Sequence, residues 1–157
     1  RHRPRLPTCS FRQWRWQDLA EGGWRPGGVE PGATAQRLVR GGRLDWQPDI
    51  PKDTQIADVL GLEAFTNLTE LNLGFNRVAD ISPLAGLNKL LDLNTGGNMV
   101  SDIAPLAGLE SLQRLQIFSN GVADISPLAG LTELGYLHAD RNLFTDLTPL
   151  TGLTKLT

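Results

Sequence analysis

Between Leu68 and Lys155 one 22-residue pattern occurs four times in succession: LTELNLGFNRVADISPLAGLNK, LLDLNTGGNMVSDIAPLAGLES, LQRLQIFSNGVADISPLAGLTE and LGYLHADRNLFTDLTPLTGLTK. A fixed period in the twenties rules out most folds, because each unit is too short to enclose a core and buries its apolar face only against its neighbours. The chain is therefore expected to coil into a solenoid. That architecture presents extended surface, and it points to binding before catalysis.

Within each copy, apolar residues recur at positions one, four, six, eleven, fourteen, seventeen and twenty, with Asn at nine, Asp at thirteen and Pro at sixteen. The leading stretch, as in Leu68, Leu71 and Leu73, alternates apolar with polar residues and predicts a short half-buried strand. Stacked copies then give a parallel sheet. Asn76, Asn98, Asn120 and Asn142 fall where the strand turns, and their amides are expected to form a ladder that satisfies backbone groups left unpaired by the bend. On the return side Val78, Ile81, Leu84 and Leu87 point inward, and Pro83, with its fixed φ, suits the first turn of a short helical segment. Asp80 is expected to cap it. The same roles fall to Asp102 and Pro105, Asp124 and Pro127, and Asp146 and Pro149.

The pattern LxxLxLxxNxIxDIxPLxxLxx resembles the 22-residue leucine-rich repeats of bacterial internalins and of the protein phosphatase regulatory subunit. The Gly and Ala that follow the Pro-Leu pair, as in ISPLAGL, resemble the bacterial surface proteins more. The resemblance implies an α/β solenoid: a right-handed coil with a short parallel β-sheet on the concave face and short 3-10 or irregular helical segments on the convex face. It also implies a cell-surface or secreted location. The repeats read as 68–89, 90–111, 112–133 and 134–155, with a fifth starting at 156. A half-copy, QIADVLGLEAFTNL from Gln55 to Leu68, keeps the register upstream, so residues 44–67 read as a partial N-terminal repeat or cap. The chain opens at Arg1 and stops at Leu156-Thr157 without a polar capping segment, and is expected to be part of a larger chain.

Departures from the pattern mark where the coil is expected to be soft. Thr95 and Ala139 replace the core Leu at position six, and Gly96, Gly97 and Gly121 add backbone freedom at and after strands.

Composition changes sharply ahead of the repeats. Residues 1–45 hold nine Arg, no Lys and four acidic residues, about +5, whereas the rest carries six basic and thirteen acidic residues, about −7; the formal net charge of −2 hides this. All four Trp lie in or beside that head without apolar periodicity, and residues 1–43 read as a disordered or poorly ordered Arg/Gly/Trp-rich segment. The alternation Arg12, Trp14, Arg15, Trp16 fits stacking on bases or an anionic surface, but a disordered leader is the favoured reading, and no nucleic-acid partner is expected. No apolar run approaches the length of a membrane helix.

Catalytic constellations are absent from the sequence. Cys9 has no neighbouring His, no Gly-rich phosphate loop occurs, and the periodic Asp80, Asp102, Asp124 and Asp146 read as structural caps rather than calcium ligands. Neither enzymatic activity nor a cofactor or metal is expected. Function is then left to positions three, five, seven and eight of each copy, which face outward from the sheet. Among these Phe75, Arg114, Gln116, Phe118, Tyr136, His138 and Arg141 are the candidate partner-binding residues, since aromatics and Arg anchor interfaces and outward strand positions impose no core role. The competing reading is that the aromatics pack on one another across coils. The expected function is a protein-interaction module binding a protein partner through the concave face; the alternative is a structural spacer or regulatory arm of a larger multidomain enzyme.

Overall fold

A computed structural model of the chain describes residues 55–157 and the backbone strand Arg43–Asp45. The head expected over residues 1–43, Arg43 excepted, lies outside the described residues, as does the stretch 46–54 of the N-terminal part-repeat.

Five short strands stack in chain order into one parallel sheet: β1 (Arg43–Asp45), β2 (Glu70–Asn72), β3 (Asp92–Asn94), β4 (Arg114–Gln116) and β5 (Tyr136–His138). Leu71, Leu93, Leu115 and Leu137 stand opposite one another, one per coil, so the 22-residue period becomes a column of leucines. Between β1 and β2 the paired residues are 27 apart, as in Arg43 and Glu70. That longer separation takes β1 out of the period, which is why the repeat pattern alone does not predict it.

On the opposite side of the coil, among the described residues, run five 3-10 segments, Leu62–Ala64, Ser82–Leu84, Ala104–Leu106, Ser126–Gly130 and Thr148–Leu150, each packed on the next. Pro occupies the first turn of the last four, where its fixed φ costs nothing and its missing N–H has no partner to lose. The periodic Asp sits one residue further upstream than an N-cap. Ile81, not Asp80, holds the capping position, and Asp80 Oδ1 instead accepts from Ser82 N at 2.8 Å across an i to i+2 turn. Asp102, Asp124 and Asp146 repeat this bond to Ala104, Ser126 and Thr148, each at 2.8 Å. Hydrogen bonds from the Ser82 amide and then its hydroxyl hold the Asp80 carboxyl below its ordinary range, and Ser126 does the same for Asp124. For Asp146 the Thr148 hydroxyl acts first and the amide second.

The interior is one continuous apolar column from Ile56 to Leu153. Ile81, Ile103 and Ile125, the position-fourteen residues of three coils, are at most 2% exposed, while Leu147, their counterpart in the last coil, is 58% exposed. Thr95 is fully buried in the column of position-six residues, and its hydroxyl finds no hydrogen-bond partner among the described residues. Ala139, at the same position two coils on, is partly buried.

Asparagine at position nine joins one coil to the next. Asn98 Oδ1 accepts from Val78 N at 2.9 Å, and its Nδ2 donates to Leu73 O in the preceding coil and to Thr95 O in its own, both at 2.9 Å. Asn120 and Asn142 make the same three links. Asn76, buried to 5% exposure, accepts from Ile56 N and donates to Leu73 O and Gly74 O. The amides thus bind backbone rather than one another, closing donors and acceptors that the bend would orphan inside the coil.

Candidate functional site

Alternation along each strand leaves positions three, five, seven and eight on the outer side of the sheet. Backbone pairing continues past the strands: Phe75 N donates to Gly96 O, Gly97 N to Phe118 O, both at 2.8 Å, and Ser119 N to Asp140 O at 2.9 Å. To keep that pairing while the chain starts its bend, position eight turns left-handed in every copy, with φ of 58° at Phe75, 67° at Gly97, 49° at Ser119 and 54° at Arg141. For the three non-glycine residues this conformation is strained. Position eight is therefore a turn position as well as an outward one.

The side chains on this face fall into two halves. Over the first two repeats they are acidic, amidic or glycine, with Phe75 the one ring. Asn72 Oδ1 accepts from Gly74 N at 3.0 Å and Asn94 Oδ1 from Gly96 N at 2.9 Å, each a local turn that ties the side chain down beside the strand. Over the last two repeats most are large. Arg114, Gln116, Phe118, Tyr136, His138 and Arg141 lie there, with Tyr136 beside Arg114 and His138 beside Gln116 in strand register.

Three of the candidate rings meet. Phe118 stacks on the His138 imidazole, with centroids 4.7 Å apart and planes 28° apart, and its other neighbour is Phe75, 5.6 Å away and tilted. Phe75 nevertheless stays 54% exposed and Tyr136 45%. The rings therefore do pack across coils, as the competing reading held, and they still offer surface.

The tier has a floor, which is the double glycine of the second repeat. A β-carbon added to Gly96 would stand 2.2 Å from a Phe118 ring carbon, and one added to Gly97 would stand 2.9 Å from Phe75 Cδ1. The glycines expected to soften the strand end are thus places where aromatic rings from the coils on either side lie against bare backbone. Gly96 and Gly97 were legible as glycines, and the signal of their role was their opposition to Phe118 at position seven and Phe75 at position eight.

The basic candidates on the face each lie against a carboxylate. Arg114 Nε lies 3.0 Å from Asp92 Oδ2; His138 Nε2 lies 2.8 Å from Asp140 Oδ1, and Arg141 Nε 3.5 Å from the other oxygen of that carboxylate. Asp92 and Asp140 are contributors that the list of candidates lacked. Around Arg114 two shallow depressions open, one of about 280 Å³ lined by Asp92, Arg114, Gln116 and Tyr136, the other of about 410 Å³ reaching Glu133 and Lys155 at the edge. The Glu133–Lys155 pair closes at 2.6 Å. Among the described residues no group of His, Cys, Asp and Glu is arranged to hold a metal ion. Nor does any helix there have the length and apolarity to cross a membrane.

Comparison with known proteins agrees with this geometry. Residues 66–108 match the family model described as leucine-rich repeats in two copies. No curated protein matches the chain. Among solved structures, internalin C2 of Listeria monocytogenes is similar with a TM-score of 0.65 and 44% identity, over 66% of this chain and 46% of its own. Internalin F of the same organism is similar with a TM-score of 0.51 and 34% identity, over 65% of this chain and 37% of its own. The chain spans less than half the length of either relative.

Proposed function

We propose that this internalin-like leucine-rich repeat chain is a non-enzymatic module that binds a protein partner through its concave sheet, displayed at a cell surface as part of a longer protein. The observation that carries the reading is the aromatic tier of exposed Phe75 with half-buried Phe118 and His138, and Tyr136 and Arg114 beside it. Large rings held on outward strand positions contribute nothing to closing the core, and buried rings and Arg are the residues that dominate interface energetics. Gln116 and Arg141 complete the surface as polar rim. The sheet is narrow: with strands about 4.8 Å apart, four repeats offer a face about 15–20 Å across, which suits a modest contact or one share of a longer face.

The test is to immobilise the full chain, screen it against a panel of cell-surface ectodomains, and repeat each hit with Phe118→Ala and Tyr136→Ala. Binding is expected to be lost in both variants, with the unfolding midpoint nearly unchanged in Tyr136→Ala and lowered only slightly in Phe118→Ala, which gives up its contacts with Phe75 and His138. Hits that persist in both variants place the interface elsewhere. An absence of hits favours a spacer or regulatory arm.

A further inference from the structure

We infer that Gly96 and Gly97 act as positioning residues, forming a bare-backbone seat that presets Phe75, Phe118 and His138 as one ring ledge, and that this ledge takes an uncharged apolar side chain of the partner. The inference rests on the reading of this sheet as the binding face. It goes further by naming the anchor, the residues that shape it and the chemistry that docks there.

The seat is specific to one repeat. At position seven the four copies carry Gly74, Gly96, Phe118 and Asp140, and at position eight Phe75, Gly97, Ser119 and Arg141. Only in the second copy are both positions glycine, and it is there that a ring arrives from each side. Phe118 reaches back from the third copy over Gly96, its Cε1 2.2 Å from where a β-carbon would stand. Phe75 reaches forward from the first copy over Gly97. The two rings then touch at 5.6 Å, and the imidazole of the fourth copy stacks on the outer one at 4.7 Å. One anchor thus draws on all four repeats. Phe75 holds its place at a φ of 58°, a strained conformation for a large residue.

Rings fixed this way lose little rotamer freedom on binding, which is the cost that ordinarily erodes the gain from contact area. The occupant follows from charge. Each Arg on the described part of the ledge already faces a carboxylate, Arg114 facing Asp92 and Arg141 facing Asp140, and His138 Nε2 lies 2.8 Å from Asp140 Oδ1. With the local charges already set against carboxylates, a charged partner group gains little here, whereas an aromatic or aliphatic side chain stacks directly on the rings.

The experiment uses the 157-residue chain and NMR of the Phe118 and His138 ring protons. Without any ligand, the wild type is expected to show ring-current shifts at His138 that Gly96→Ala abolishes, because the new methyl displaces the Phe118 ring into solvent. In a Phe118→Ala background the same Gly96→Ala change is expected to do almost nothing, a non-additivity that a general loosening of the strand would not produce. Titration with N-acetyl-tryptophanamide and N-acetyl-leucinamide is expected to perturb the ledge protons equally at low and high salt. In Gly96→Ala those perturbations fall about tenfold. Additive single changes would overturn the seat. Preferential response to N-acetyl-glutamate amide or N-acetyl-arginine amide, or no response to any probe, would overturn the occupant. A protein partner whose binding needs Tyr136 but ignores Gly96→Ala would sink this inference and leave the concave-face reading standing.

Discussion

Asn120 donates through Nδ2 to the carbonyl of Thr95 in the preceding coil at 2.9 Å, and Asn98 donates to the same oxygen from within that coil at the same distance. One carbonyl thus receives two side-chain amides, and Asn120 also accepts from Val100 N at 2.9 Å. The bend of the second repeat depends on residues in two coils. Replacing Asn120 by Ala leaves the Val100 N–H without its acceptor and takes one of two side-chain donors from each of Thr95 O and Ile117 O, an expected loss of about 1–3 kcal/mol. Urea unfolding of Asn120→Ala at unchanged m-value measures it. A loss below about 0.5 kcal/mol would mean that water satisfies these groups and that the ladder is not what joins the coils.

Thr95 carries the opposite opportunity. Its hydroxyl is fully buried without a partner, in a column where Leu73 and Ile117 occupy the same position above and below. Thr95→Val replaces that hydroxyl by a methyl of similar size, and is expected to raise stability by about 1–2 kcal/mol. The unfolding midpoint reports the gain. A loss would show that the hydroxyl has a hydrogen-bonding partner, such as an ordered water.

Position eight tests strain. Ser119 sits at a φ of 49° where Gly97, one coil earlier, sits at 67°. The left-handed conformation costs an L-residue about 1–2 kcal/mol, offset in part by the extra freedom of glycine in the unfolded chain, so Ser119→Gly is expected to stabilise by about 0.5–1 kcal/mol. Phe75→Gly relieves the same strain but gives up the contact with Phe118, and is expected to show no such gain. Equal gains in both would deny the ring contact any energetic role.

The convex column supplies a pH prediction. Asp80, Asp124 and Asp146 have folded-state values lowered by the amides and hydroxyls of Ser82, Ser126 and Thr148. A depressed carboxylate contributes stability that is fully present above its unfolded value, about 3.9, and is lost as pH falls through the lower folded value. The loss therefore lies below about pH 4, with no contribution to any change between about pH 5 and 8. The triple variant Asp80→Asn, Asp124→Asn, Asp146→Asn keeps the turn acceptors without the titration. Its melting temperature is expected to fall less steeply with acid than that of the wild type; parallel curves would assign acid sensitivity to other groups.

How much was legible beforehand differs between scaffold and surface. The repeated Leu, Asn and Pro positions specify strand, bend and 3-10 segment because each residue type has one physical use at that point of the coil. Strand β1 was not legible, since its 27-residue separation from β2 leaves Arg43–Asp45 out of phase with the period. Asp80 was assigned to the right turn but one residue from the cap, because Ser82 begins the 3-10 segment only after Ile81 has turned. The seat at Gly96 was hidden for a different reason: glycine's identity says nothing about which side chain will lie on it, and Phe118 lies 22 residues away along the chain. Only the stacking of coils makes that pair neighbours.

Stacking also makes one position carry two different energies. Ile103 lies in a coil with a neighbour on each side and is 1% exposed; Leu147, at the same place in the last repeat, is 58% exposed beside Leu143 at 68%. Ile103→Ala opens a cavity between the flanking 3-10 segments and is expected to cost about 2–5 kcal/mol. Leu147→Ala removes side chain that is already largely in water, and is expected to cost less than about 1 kcal/mol. Both are read from urea unfolding at several protein concentrations. If Leu147→Ala proved as damaging as Ile103→Ala, and more so as concentration rose, the exposed apolar edge would be covered by a second copy in solution. Equal damage at all concentrations would instead show that the last coil is closed within the chain.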